Sequence, residues 1–163
     1  MTEQNPAARS SPTPSELIVE ADGGSRGNPG IAGAGALVRD QQGRILAAVA
    51  VPLGTASNNV AEYTGLIEGL RLVQQLNPAA QVEVRMDSKL VVEQMSGRWK
   101  IKHEDMKRLA NEASQILSPF QVTYTWIPRA KNGDADRLSN EAMDASAAGN
   151  QWDPAASAIQ PQR

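Results

Sequence analysis

A mixed α/β (α+β) fold, in which three adjacent strands are followed by further strands alternating with helices, is predicted by three features of this 163-residue chain. Strand-like apolar runs at Leu17–Val19, Ile31–Val38 and Arg44–Val51 follow one another closely, as in an antiparallel meander. From Asn58 the period lengthens, and Tyr63, Leu66, Ile67, Leu70, Val73 and Leu76 share one face of a long amphipathic helix. A short run, Gln81–Asp87, comes next, and a strand reached through a crossover helix should pair parallel with the first strand.

Composition narrows the chemistry. The length favours one domain, and 40% apolar residues suffice for an ordinary core. No apolar run approaches the roughly 20 residues needed to span a bilayer, and Met1–Ser15 lacks the apolar stretch of a secretory signal, so no membrane association and a cytoplasmic location are expected. With no cysteine and one histidine, His103, thiolate and imidazole-rich metal sites are excluded. Any metal must be held by oxygen. A net charge of −2 argues against a global positive field for nucleic acid but leaves room for a local basic face.

In chain order, residues 1–15 are rich in Pro, Ser and Ala without periodicity and read as a disordered tail. Ala21-Asp22-Gly23-Gly24-Ser25-Arg26-Gly27-Asn28-Pro29-Gly30 reads as a tight glycine loop between two strands, with Asp22 at the first strand's end. Its glycines fit neither a dinucleotide fingerprint nor a P-loop. Asp22 could bind a metal, or could simply cap a turn. The long helix should be N-capped by Asn59 and end at Asn77-Pro78; Glu62 projects near the edge of its buried stripe, or completes a capping box with Asn59. Asp87 closes the next strand, and either it or Ser88 could cap the helix that starts there. Arg98-Trp99-Lys100-Ile101-Lys102-His103 combines basic and aromatic side chains suited to a sugar-phosphate backbone, with a solvated loop as the alternative and His103 read as a surface residue. Met106–Leu117 is amphipathic, and Phe120–Ile127 alternates as a last strand, with Tyr124 and Trp126 expected in the core. The final helix should run from Ala135 to about Ala145, N-capped by Asp134, with Asp136 in its first turn, where the helix dipole alone would favour it. Residues 147–163 lose periodicity and are expected to form a second disordered tail or linker, with Trp152 exposed or loosely docked.

Four motifs in this order carry a resemblance: Asp-Gly-Gly-Ser-Arg-Gly-Asn-Pro-Gly at 22–30, Asn-Asn-Val-Ala-Glu-Tyr at 58–63, Met-Asp-Ser-Lys at 86–89, and Asn-Gly-Asp-Ala-Asp-Arg-Leu-Ser-Asn-Glu-Ala at 132–142. Over about Leu17 to Ala145 the chain resembles type 1 ribonuclease H. The resemblance implies a ribonuclease H-like fold with a mixed five-stranded sheet, a domain over residues 16–146, and an endonuclease that hydrolyses the RNA strand of RNA–DNA hybrids with two Mg2+ ions. Mn2+ is expected to substitute. Asp22, Glu62, Asp87 and Asp136 match the family's four metal-binding carboxylates, in agreement with the oxygen-only inventory. Asn28, Asn58 and Asn59 match positions that contact the hybrid, and Gly23, Ser88, Lys89, Trp99, Lys100, Lys102, Arg129 and Asn132 complete the expected substrate contacts.

Two departures stand out. The loop between Trp126 and Asn132 is short and lacks the histidine many members carry; Arg129 or Lys131 could occupy part of that space but cannot shuttle protons near neutral pH. The basic protrusion of some members is reduced to Arg98–Lys102. A monomer is expected. The alternatives are a nuclease that also cuts double-stranded RNA, and a nucleic-acid-binding domain without turnover, which would have no need of clustered negative charge facing phosphates.

Overall fold

The structure, a computed structural model, describes residues 14–162. Five strands, β1 (Glu16–Gly27), β2 (Gly30–Arg39), β3 (Ile45–Ala56), β4 (Gln81–Met86) and β5 (Val122–Trp126), form one sheet in the order β3-β2-β1-β4-β5. β1, β2 and β3 are antiparallel, whereas β4 pairs parallel to β1, and β5 parallel to β4. The predicted mixed sheet is therefore the observed one.

Among the described residues there are four α-helices, α1 (Asn58–Leu76), α2 (Lys89–Met95), α3 (Glu104–Ser114) and α4 (Gly133–Ala148); α1, α2 and α4 pack on the sheet, and α3 packs on α1. The main core joins Leu17, Val19 and Ala21 of β1 and Val82, Val84 and Met86 of β4 to Tyr63, Leu66 and Leu70 of α1 and to Met106 and Leu109 of α3. A smaller cluster joins Leu37, Ile45 and Ala50 to Leu138 and Ala142 of α4. Among the described residues no helix is long and apolar enough to cross a membrane.

Three sequence expectations change here. The glycine-rich stretch is not a loop. β1 continues through Asp22 to Gly27, paired with β2 as far as Gly27↔Gly30, because its small residues lie against helices that supply the burial their side chains lack. The N-cap of α1 is Ser57, whose hydroxyl accepts from the Val60 amide at 3.2 Å, so Asn58 and Asn59 belong to the helix. α4 begins at Gly133 after Asn132, and Asp134 instead pairs with Arg39, which also holds the buried Glu20.

The expected tail at 147–163 is likewise corrected. α4 extends to Ala148 and is closed by Gly149 with φ 71°, a left-handed conformation that glycine adopts without a Cβ clash. The chain then folds back over the smaller cluster. The Glu141 carboxylate accepts from the Trp152 indole N–H at 2.9 Å, the Ser157 hydroxyl at 2.6 Å and the Ala158 amide at 2.9 Å. Trp152 and Ile159 pack against that cluster, and Gln162 exchanges two hydrogen bonds with Ile45 of β3. The segment has no period because a polar hub and a strand edge hold it, not a regular element of its own. The other expected tail, residues 1–15, lies outside the described residues up to position 13; the carbonyls of Pro14 and Ser15 accept from Asn77 and Gln81.

Candidate active site

The β1–β4 ladder ends at the rung Ala21↔Met86, so Asp22 and Asp87 occupy the next position of two adjacent parallel strands. Asp22 is not at a strand end, since β1 runs on beside β2, but it is the first β1 residue without a β4 partner. α1 brings the third carboxylate. A Cβ at Gly65 would stand 2.5 Å from the Asp22 carbonyl, so only glycine lets the helix lie this close to β1 and point Glu62 at Asp22. One oxygen from each of Asp22, Glu62 and Asp87 falls within 4.8 Å of the others.

The opposite wall is α4. A Cβ at Gly35 would stand 2.5 Å from that of Leu138, so glycine on β2 seats this helix deeply and brings its first turn to the carboxylates. Asp136 lines the same cleft of about 310 Å³ and stands 3.6 Å from the Arg129 guanidinium. The acidic dipole-facing residue expected from the sequence therefore shares the cleft with the three other carboxylates.

Burial and crowding set the electrostatics. Burial first, then the charge of Asp87, pushes the Asp22 carboxyl up to about 7. Burial followed by the charges of Asp22 and Asp87 pushes Glu62 up to about 9. A single backbone N–H, that of Gly23, donates to both Asp22 at 2.9 Å and Glu62 at 3.1 Å. Three oxygen donors so close, with no ammonium or guanidinium bonded to them among the described residues, fit a hard divalent cation.

The expected substrate contacts are distributed unevenly. Gly23, Asn58 and Arg129 line the cleft. Asn28 is exposed beside it and accepts from the Asn58 amide at 3.1 Å; Asn59 is exposed on α1. Ser88 caps α2 by accepting from Val91, and Lys89 lies over the Trp126 ring, 5.7 Å from its centroid. Trp99, Lys100 and Lys102 are exposed but do not line the cleft, and Arg98 is paired with Glu93. Asn132 is corrected outright: it is fully buried and cannot reach a substrate. Trp126 is corrected in the other direction. At the end of edge strand β5 it lies outside the main core, is 46% exposed, and donates its indole N–H to the Asp87 carbonyl at 3.2 Å. His103 is exposed, as expected, and N-caps α3.

Sequence reasoning missed Ser25, Arg26, Ser139, Asn140 and Met143, which also line the cleft. A signal for the last three existed, because they follow Asp136 at helical spacings of three, four and seven.

Ribonuclease H of Hydrogenovibrio crunogenus is 31% identical over 79% of this chain and 96% of its own length. Residues 20–142 match the reverse transcriptase-like family model. The chain belongs to the type 1 ribonuclease H family. The N-terminal RNase H domain of Rv2228c from Mycobacterium tuberculosis has a solved structure with a TM-score of 0.79 and 52% identity, covering 83% of this chain and 99% of that one. The full-length bifunctional protein Rv2228c is 54% identical over 81% of this chain, which spans only 36% of that relative's length. Ribonuclease HI of Halobacterium salinarum is 40% identical over 76% of this chain and 62% of its own. LC11-RNase H1, from compost, was solved in complex with an RNA/DNA hybrid; it is 39% identical with a TM-score of 0.77, covering 81% of this chain and 99% of its own.

Proposed function

We propose that this chain is a metal-dependent endonuclease that hydrolyses the RNA strand of RNA–DNA hybrids, acting as a cytoplasmic monomer through a domain that spans about residues 16–146. The observation that carries this reading is the convergence of Asp22, Glu62 and Asp87 within 4.8 Å at the floor of an open cleft. The hybrid-bound structure of LC11-RNase H1, a relative of the same fold, supports the substrate class.

Asp22, Glu62, Asp87 and Asp136 would hold two Mg2+ ions, with Mn2+ as a substitute. Bound divalent cations would supply activation of a water and neutralisation of charge on the leaving oxygen. The new bond forms between the water oxygen and phosphorus while the bond from phosphorus to the 3′ oxygen breaks, leaving 5′-phosphate and 3′-hydroxyl ends. The chain's own groups bind and orient the substrate. Asn28 and Asn58, side by side at the cleft, offer neutral amides to 2′-hydroxyls, the feature that separates RNA from DNA. Arg129, which lines the cleft 3.6 Å from Asp136, offers a guanidinium suited to a phosphate oxygen and would leave Asp136 to make that contact.

Labelled RNA–DNA hybrid, double-stranded RNA and single-stranded RNA, each incubated with Mg2+ and with chelator, test the reading on one gel. Cleavage of the hybrid's RNA strand alone, abolished by chelator, is expected. Equal cutting of double-stranded RNA would widen the substrate class, and an inert hybrid would leave a binding domain.

A further inference from the structure

Asn132 precedes α4 and is completely buried, although nothing about its own helix requires a buried amide there: its side chain makes no capping hydrogen bond. Its Nδ2 donates to the Ala21 carbonyl at 2.9 Å, at the last β1–β4 rung and one residue before Asp22. The same nitrogen stands 3.4 Å from Oδ1 of Asp87. Its backbone carbonyl accepts from the amide of Asp136 at 3.0 Å. One residue thus touches, or adjoins in the chain, three of the four carboxylate positions, and it comes from the loop that joins β5 to α4.

The amide's orientation is set by its neighbours. Both groups facing Nδ2 are acceptors, so a flipped amide would set oxygen against oxygen. Its Oδ1 is left buried without a hydrogen-bond partner among the described residues. A buried amide that leaves its own oxygen unpartnered while its nitrogen serves a strand carbonyl and a carboxylate is not arranged for stability alone.

We infer that Asn132 is a positioning residue of the metal site, resting on the metal-ligand reading above. It restricts the Asp87 carboxylate to the rotamer that faces Asp22 and Glu62, and it ties the start of α4, with Asp136, to the same rung. It touches neither substrate nor metal. Outer partners of metal ligands typically change metal affinity or activity by about 10–100-fold when lost, and the effect should fall on metal binding and turnover rather than on hybrid affinity.

The test combines Mn2+ binding, followed by the loss of the free ion's paramagnetic resonance signal, with kinetics and melting for wild type, Asp22→Asn and Asn132→Ala. Wild type should bind Mn2+, and Asp22→Asn should weaken it. Asn132→Ala should melt cooperatively, bind Mn2+ at least about tenfold more weakly and lose kcat to a similar extent, with KM for the hybrid changed less than about threefold. Mn2+ affinity within about threefold of wild type in folded Asn132→Ala would overturn the inference while leaving the metal site itself standing. Failure of wild type to bind Mn2+ would overturn both. Should Asn132→Ala not fold, the wild-type protein decides: the Asn132 side-chain amide protons should exchange slowly and shift on Mg2+ titration, and an unshifted resonance overturns the inference.

Discussion

At Gly23 one amide N–H serves two carboxylates and lowers both, yet burial and then the charge of neighbouring carboxylates, Asp87 for Asp22 and Asp22 and Asp87 for Glu62, still leave both groups raised. A neutral isostere at Asp22 relieves that crowding and removes a metal ligand in the same stroke. Asp22→Asn and Asp87→Asn should each abolish hybrid cleavage, and Asp22→Asn should melt a few degrees higher than wild type in chelator; a gel and a thermal melt of each variant check the two halves. Near wild-type cleavage by either would remove the ligand assignment. Residue by residue, the four carboxylates were legible because their motifs are distinctive and spaced in order. Asn132 and Trp126 were not, since a sequence cannot tell an amide sealed inside a loop from one offered to a ligand, nor an indole at the end of an edge strand from one in the core.

The elements were legible where the apolar period was strong, as in α1, β4 and α3. They were misread where burial comes from a neighbour. The strand that carries Asp22 looks like a loop because glycine has low strand propensity, and only the helices packed on it explain why it pairs. The segment after α4 looks like a tail because its anchor, Glu141, lies on another element. Desolvation pushes the Glu141 carboxyl up, but hydrogen bonds from Ser157, Trp152 and Ala158 outweigh it and hold the group below the usual carboxylate range. A folded-state pKa below the unfolded one contributes stability that is present above the unfolded value and lost as pH falls through the folded value. Acidification below the ordinary carboxylate range should therefore release residues 149–162 before the sheet unfolds, seen as faster amide exchange confined to that segment. Glu141→Ala should produce the same release at neutral pH and lower the melting temperature by about 2–6 °C, the effect of roughly 1–2 kcal/mol. Unchanged exchange in Glu141→Ala would mean that apolar contacts alone hold the segment.

For the molecule as a whole, a net charge of −2 must be reconciled with the polyanionic substrate proposed for it. Lys100 and Lys102 stand exposed beside Trp99, and Arg26 and Arg129 are the cations that line the cleft, so few phosphates are in reach. Hybrid binding by Asp22→Asn should show a shallow salt slope, that of roughly three to five phosphates at ~0.7–0.9 per contact. Replacing Lys100 and Lys102 together by alanine should lower the slope by about one to two, with single-turnover cleavage at saturating hybrid nearly unchanged. Fluorescence anisotropy across a salt series reads both, and an unaffected slope would mean that the Trp99 segment faces away from the substrate.

The bonds between Gln162 and Ile45 carry one more consequence. β3 is an outer strand of the sheet, and an outer strand is a template on which another copy of the chain can add a strand of its own. Two devices blunt it: Pro52, which has no N–H and sits at the register shift between Ala32 and Gly33, and Gln162, which occupies both backbone groups of Ile45 at the other end. A chain cut after Gly149 would keep its cleft and its carboxylates but expose that end of the strand. Such a chain should sediment as a concentration-dependent mixture of species where the 163-residue chain sediments as a single species, so the segment after α4 would govern whether the protein stays dispersed in solution.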